Sequence, residues 1–268
     1  MSMATINDQE FGQFQKLIYQ LAGINLSPAK KALVSGRLAK RLNQYRLDSY
    51  GDYCKLLTAS HNSAELQVAV DLLTTNETYF FREPKHFDFL HTHILAKHKP
   101  GNPFRVWSAA CSSGEEPYSI AMVLADHLGG CPWEVAASDI STRMLEKART
   151  GHYPMDRIDG ISREHLSRYC LKGVGAQENT LLVDQKLRNR VNFMQVNLNQ
   201  PLPALGGFDV IFLRNVMIYF DQETKRQIVQ RILSLLKPGG HFLIGHSESL
   251  YGVIDTLHPL APSIYRKS

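Results

Sequence analysis

The chain has 268 residues, 44% of them hydrophobic, enough to bury one large domain or two modest ones. Its 30 basic and 25 acidic residues leave a formal charge of +5, which admits an acidic-protein, nucleic-acid or membrane-surface partner without choosing one. No apolar run reaches the roughly 18 residues of a membrane span, the start Met1-Ser-Met-Ala carries no export signal, and Cys54, Cys111, Cys131 and Cys170 are scattered like reduced thiols, so a cytoplasmic protein without disulfides or a zinc site is expected.

Residues 1–75 pattern as helices only. Phe11, Phe14, Leu17, Ile18 and Leu21 recur at helical spacing. Ser27-Pro28 is a cap-and-proline start for a longer helix on which Val34, Leu38, Leu42 and Tyr45 form one stripe. Lys30, Arg37 and Arg41 form an adjacent stripe, in a stretch from Lys30 to Arg46 that has no acidic residue. A charge run is most often a solvated face; no stacking aromatics or groove-reading module accompany it, so an acidic protein helix suits it at least as well as nucleic acid. Asp48 and Asn62 are expected helix caps, Asn62 in a capping box with Glu65. Thr74 to Glu83 joins the two halves; there Arg82 follows three aromatics and is partly screened from water, which fits either an anionic ligand or an interdomain salt bridge.

From about residue 100, strands and helices alternate: strand 104–110, helix 116–128, strand 133–138, helix 141–149, strand 208–214, helix 221–236, strand 240–246. This predicts an α/β domain with a parallel sheet covered on both faces. The rhythm lapses over 162–195, where Lys172–Gly175, Thr180–Val183 and Arg190–Phe193 read as an inserted antiparallel β subdomain.

Strand 104–110 breaks into Ala109-Ala-Cys-Ser-Ser-Gly114 and opens a helix at Glu115-Glu116. Strand, glycine turn and helix form a ligand cradle at the carboxyl edge of a sheet. A helix N-terminus ordinarily favours phosphate, but two carboxylates there repel a pyrophosphate. They suit a ligand with hydroxyls and amino groups, and S-adenosylmethionine fits. A nicotinamide enzyme is disfavoured by the same pair and by the missing glycines. Asp139 ends the second strand, placed for ribose hydroxyls or, in the plainer reading, for a helix N-cap. Arg214 and Asn215 fall at the carboxyl end of strand 208–214; Tyr219 beyond it reads equally as a core aromatic.

Five segments together closely resemble the CheR family, bacterial chemoreceptor methyltransferases: Thr75–Glu83, Val106–Ser119, Ala137–Ile140, Phe212–Phe220 and Gly245–Glu248. The resemblance runs from about residue 8 to the end of the chain. It implies a Rossmann-like class I methyltransferase sheet at 101–268 with a β subdomain at about 162–195, a small all-α N-terminal domain at 1–75, and a linker with the first catalytic helix at 76–100. No appended module is seen, as in the stand-alone form. It implies S-adenosylmethionine as cofactor, with Asn76, Thr78, Arg82, Glu116, Asp139, Asn197, Leu198, Arg214 and Asn215 around it. The activity implied is methyl transfer to glutamate carboxylates of chemoreceptor cytoplasmic helices, without nucleic acid or membrane insertion. A receptor C-terminal tail peptide on the β subdomain, as in some relatives, stays open. An ionised glutamate needs no general base, which agrees with the lack of a Ser/His/Asp-like constellation among eleven histidines. Arg82 and Tyr219 are the candidates for orienting that carboxylate, Lys30, Arg37 and Arg41 for docking the receptor, and no metal is required. A methyltransferase acting on nucleic acid or small molecules fits the cofactor half equally, and a silent cofactor-binding adaptor would fit were its site positions not all filled.

Overall fold

The computed structural model describes residues 5–59 and 61–268, so the chain start read above for export signals lies outside the described residues. Helix α1 (Asp8–Ala22) opens on a capping box between Asn7 and Glu10. A 3-10 turn at Pro28–Lys30 leads into α2 (Lys31–Tyr45), followed by α3 (Tyr50–Thr58) and α4 (Ser63–Leu73). Two expected caps are corrected. Ser49, not Asp48, caps α3 by accepting from the Asp52 N–H. Asn62 makes no side-chain cap, because Glu65 is drawn inward, where the hydroxyls of Tyr45 and Tyr53 and the Arg41 guanidinium all donate to it. A buried carboxylate with three donors outweighs a surface cap.

After the linker, α5 (Lys85–Phe89) leads to β1 (Phe104–Ser108), α6 (Glu115–Leu128), β2 (Trp133–Asp139) and α7 (Thr142–Thr150). The chain then leaves the main sheet for β3 (His152–Pro154), α8 (Arg163–Tyr169), β4 (Cys170–Lys172) and β5 (Thr180–Val183). These three strands pair antiparallel in the order β3-β5-β4. Helix α9 (Gln185–Arg188) returns it to β6 (Val191–Gln195), β7 (Phe208–Leu213), α10 (Gln222–Ser234), β8 (Leu236–Ile244), β9 (Leu257–Ala261) and β10 (Ile264–Lys267).

The β subdomain therefore differs from its expected bounds of 162–195. It begins ten residues earlier, at His152, and excludes Arg190–Phe193, which enters β6 and pairs parallel with β2 at the edge of the main sheet. The main sheet has the order β6-β2-β1-β7-β8-β10-β9, with β10 antiparallel to β8. From β1 the chain winds outward to β2 and β6, and from β7 the other way to β8. The switch point lies between β1 and β7, and their carboxyl ends open a crevice there.

Alternation along the strands divides the core. Val106, Val210, Phe212 and Leu243 face α6, whereas Trp107, Ile211, Leu213, Phe242 and Ile244 face α10 and share one continuous core with Phe14, Val34 and Leu38 of the helical region. Burial at roughly 25 cal/mol per Å² thus fastens the helices to one face of the sheet. No described helix is long and apolar enough to cross a membrane.

Candidate functional site

A cavity of about 410 Å³ lies at the crevice between β1 and β7. That is within the roughly 300–1,000 Å³ of small-molecule sites. Its walls carry Asn76, Thr78, Arg82, Glu116, Asp139, Asn197, Leu198, Arg214 and Asn215, together with Tyr219 and Lys30. Distant segments of sequence are brought together here by the sheet edge and the linker.

The loop after β1 needs its glycine. Gly114 has φ +96, and a Cβ there would stand 2.8 Å from Ala148 Cβ and 2.9 Å from the Tyr153 hydroxyl. Ser112 is left-handed as well, and its N–H donates to Asp139 Oδ2 at 2.8 Å. Four of the seven described non-glycine residues with left-handed φ, Phe81, Glu83, Ser112 and Asn215, sit in loops around this site. Such strain costs about 1–3 kcal/mol each and persists where surrounding bonds over-determine the backbone.

Asp139 is buried, and burial raises its carboxyl pKa against the opposing N–H bonds from Ser141 and Ser112. The N-cap of α7 is Ser141, whose Oγ accepts from the Met144 N–H. Asp139 instead takes one backbone N–H on each oxygen, Ser141 at 2.9 Å and Ser112 at 2.8 Å. A carboxylate has about four acceptor positions, so capacity remains for hydroxyls in the cavity.

Of the acidic pair, Glu116 lines the cavity while Glu115 turns away and pairs with Arg157 at 3.2 Å. Glu116 accepts from the Ser108 hydroxyl at 2.7 Å and from Arg214 Nη1 at 2.8 Å. Arg214, buried, also donates to Glu83 Oε2 at 2.9 Å and to the Arg82 carbonyl. Burial works to raise the Glu83 carboxyl, but the Arg214 charge and the bonds from Arg214 and Asn215 prevail and lower it to about 2. Glu248 ties the other side, accepting from the N–H groups of Asn215, Met217 and Gly245 at 2.7–2.9 Å. Glu83 and Glu248 were not singled out as site residues. Both lie inside the quoted motifs: Glu83 follows the aromatic run Tyr79–Phe81 in the linker, and Glu248 follows the apolar strand β8.

Glu83, His86 and His246 also approach one another closely enough to ligate a metal. The oxygens of Glu83 are already taken by Arg214, Asn215 and the His246 N–H, and the adjacent guanidinium opposes a cation. The trio is therefore a poor metal site.

Arg82 and Tyr219 contrast with this network. Arg82 makes no salt bridge among the described residues; its guanidinium donates to the Glu77 carbonyl at 2.8 Å and lies 5.6 Å from the Tyr79 ring centroid. The half-buried Tyr219 has no hydroxyl partner among the described residues, while its carbonyl accepts from the Asn25 N–H at 2.8 Å. Asn197 lines the cavity, and its amide also donates to the Leu21 carbonyl at 2.6 Å, tying the cavity wall to α1. Arg37 and Arg41 do not reach the cavity. Arg37 donates to the Leu73 and Thr74 carbonyls at 3.1 and 2.9 Å, and Arg41 pairs with buried Glu65, so the basic stripe is partly consumed within the helical region.

Comparison with known proteins agrees with this geometry. Residues 76–263 match the CheR methyltransferase SAM-binding domain, and residues 9–74 match the CheR methyltransferase all-alpha domain. A chemotaxis protein methyltransferase of Salmonella typhimurium is 45% identical over 266 residues, covering 98% of this chain and 91% of that one. One of Escherichia coli is 47% identical, covering 91% and 85%, and one of Borreliella burgdorferi 37% identical, covering 98% and 95%. The chain thus belongs to the CheR family of S-adenosylmethionine-dependent methyltransferases.

Proposed function

We propose that this enzyme moves a methyl group from S-adenosylmethionine to glutamate side chains on cytoplasmic helices of chemoreceptors, giving methyl esters. The observation that carries the reading is the shared cavity: the cofactor-type residues line it together with Arg82 and Tyr219, whose side chains are sparsely bonded. The residues fit the cofactor. Asp139 retains acceptor capacity for ribose hydroxyls, Val196, Leu198 and Ile140 offer an apolar slot for adenine, and Glu116 supplies negative charge for an ammonium group.

When bound, S-adenosylmethionine supplies an electrophilic methyl group on a sulfonium. The protein's own part is alignment and exclusion of water, because a glutamate of pKa about 4.3 is already ionised at neutral pH. Arg82 and Tyr219 orient the substrate carboxylate from the cavity mouth. Lys30 and Arg37 attract the receptor helix; the Arg37 charge persists because its partners are neutral carbonyls, whereas Glu65 offsets Arg41. We assign substrate docking to residues 1–75 and the receptor tail to the outer edge of β4, where Leu171 on the strand and Val174 just beyond it are 54% and 79% exposed.

The test is transfer of labelled methyl groups to receptor cytoplasmic fragments, followed by alkali. Base-labile label released as methanol supports glutamate esters. Alkali-stable label, or transfer to nucleic acid instead, refutes the reading.

A further inference from the structure

The N-terminus of α7 is held from two directions. A helix leaves its first N–H groups without internal partners. Here the Ser141 N–H goes to Asp139 and the Met144 N–H to the Ser141 hydroxyl, both within the catalytic region. The two between them go to Asp71 of α4: the Thr142 N–H at 3.1 Å and the Arg143 N–H at 3.2 Å, with the Thr142 hydroxyl adding a bond at 2.8 Å. Asp71 is buried, and Gln67 one turn before it donates both to Asp71 Oδ1 at 2.8 Å and to the Ile140 carbonyl at 3.0 Å. Gln195 then donates to Gln67 and to the same Ile140 carbonyl.

The held segment, Ile140 to Arg143, directly follows Asp139 and includes Ile140, both of which line the cavity. Helix α4 therefore grips the strand end that faces the cofactor, with charge-assisted bonds that are stronger than neutral ones.

We propose that Asp71 is a positioning residue for S-adenosylmethionine: by capping α7 from the helical domain it sets the place of Asp139 and Ile140, and it links cofactor binding to the order of α4. The proposal rests on the family's cofactor and needs no particular methyl acceptor, so it can fail while the receptor reading stands. Linkage requires reciprocity: if α4 supports the bound cofactor, bound cofactor must stabilise α4.

The test uses the full chain and S-adenosylhomocysteine. Asp71→Ala should weaken its binding at least about tenfold in calorimetry well below the melting temperature, a change of about 1.4 kcal/mol or more. Asp71→Asn, which keeps an acceptor oxygen, should restore part of the affinity. Turnover at saturating cofactor should stay near wild type while KM for the cofactor rises, a split that general structural damage would not produce. In the wild type the ligand should slow hydrogen exchange of the Ser63–Leu73 amides, and in Asp71→Ala that slowing should vanish while α7 remains protected. If Asp71→Ala does not fold, Thr142→Ala, which removes only the hydroxyl bond, should give a smaller affinity loss in the same direction. Wild-type affinity in these variants, or exchange in α4 indifferent to the ligand, overturns the proposal.

Discussion

The floor and the mouth of the cavity are built on opposite plans. On the floor, Arg214 is buried between Glu116 and Glu83, and Asn215, Gly245 and Met217 hang from Glu83 and Glu248. At the mouth, Arg82 holds one carbonyl and faces one aromatic ring, and Tyr219 has no hydroxyl partner among the described residues. Two arginines in one cavity thus do different work. The network fixes Arg214 in one position, where it shapes the pocket; Arg82 keeps donors for whatever arrives. Densely bonded polar groups hold the pocket's shape, and the sparsely bonded ones are those we propose for the substrate.

The largest effect should come from breaking the floor. Arg214→Ala strands two carboxylates in a buried setting, where loss of one partner costs about 3–5 kcal/mol. We expect a large drop in melting temperature together with lost cofactor binding. A variant that melts like wild type would remove the distinction between the two arginines.

Asp139→Ala should come next. If Asp139 holds the ribose as proposed, bonds worth roughly 1.5–3 kcal/mol each are lost, and S-adenosylhomocysteine should bind at least about tenfold more weakly. Because Asp139 also accepts from the Ser112 and Ser141 N–H groups, some melting temperature should be lost as well. Unchanged affinity in calorimetry would disqualify Asp139 as the ribose partner.

A smaller effect is a pH dependence written into the floor. Burial first, and then the Arg214 charge, lower the His86 imidazole from 6.5 to about 3. The unfolded chain therefore binds a proton that the folded one refuses over this interval, and stability falls as pH drops from about 6.5 toward 3. His86 contributes at most about 1.4 kcal/mol per pH unit. His86→Gln should flatten the decline in melting temperature between pH 7 and pH 5. An unaltered slope would place the titration elsewhere.

These contrasts also mark what the sequence could reveal. Strand cores such as Val106-Trp107 and Val210–Leu213 are apolar in any register, so their positions were legible within a residue or two, and the motifs at their ends led to the cavity. Pairing partners were not. Arg190–Phe193 has the same local pattern whether it lies antiparallel in a subdomain or parallel to β2, and only the neighbour decides. His152–Pro154 is a three-residue strand, too short to show a period. Glu65 and Arg41 looked like a cap and part of a docking stripe, yet they found each other across two helices. For Arg190–Phe193, Glu65 and Arg41 a tertiary partner decided what the local pattern left open.

The division between floor and mouth is tested most directly by Arg82→Ala, measured both for cofactor affinity and for single-turnover methyl transfer to a receptor fragment at saturating S-adenosylmethionine. Its few bonds predict near-wild-type melting and an affinity loss below about tenfold, with transfer falling by about a hundredfold or more, as misplacement of a reacting group does. Transfer that survives, or that falls only in proportion to cofactor affinity, would contradict the assignment of Arg82 to the substrate.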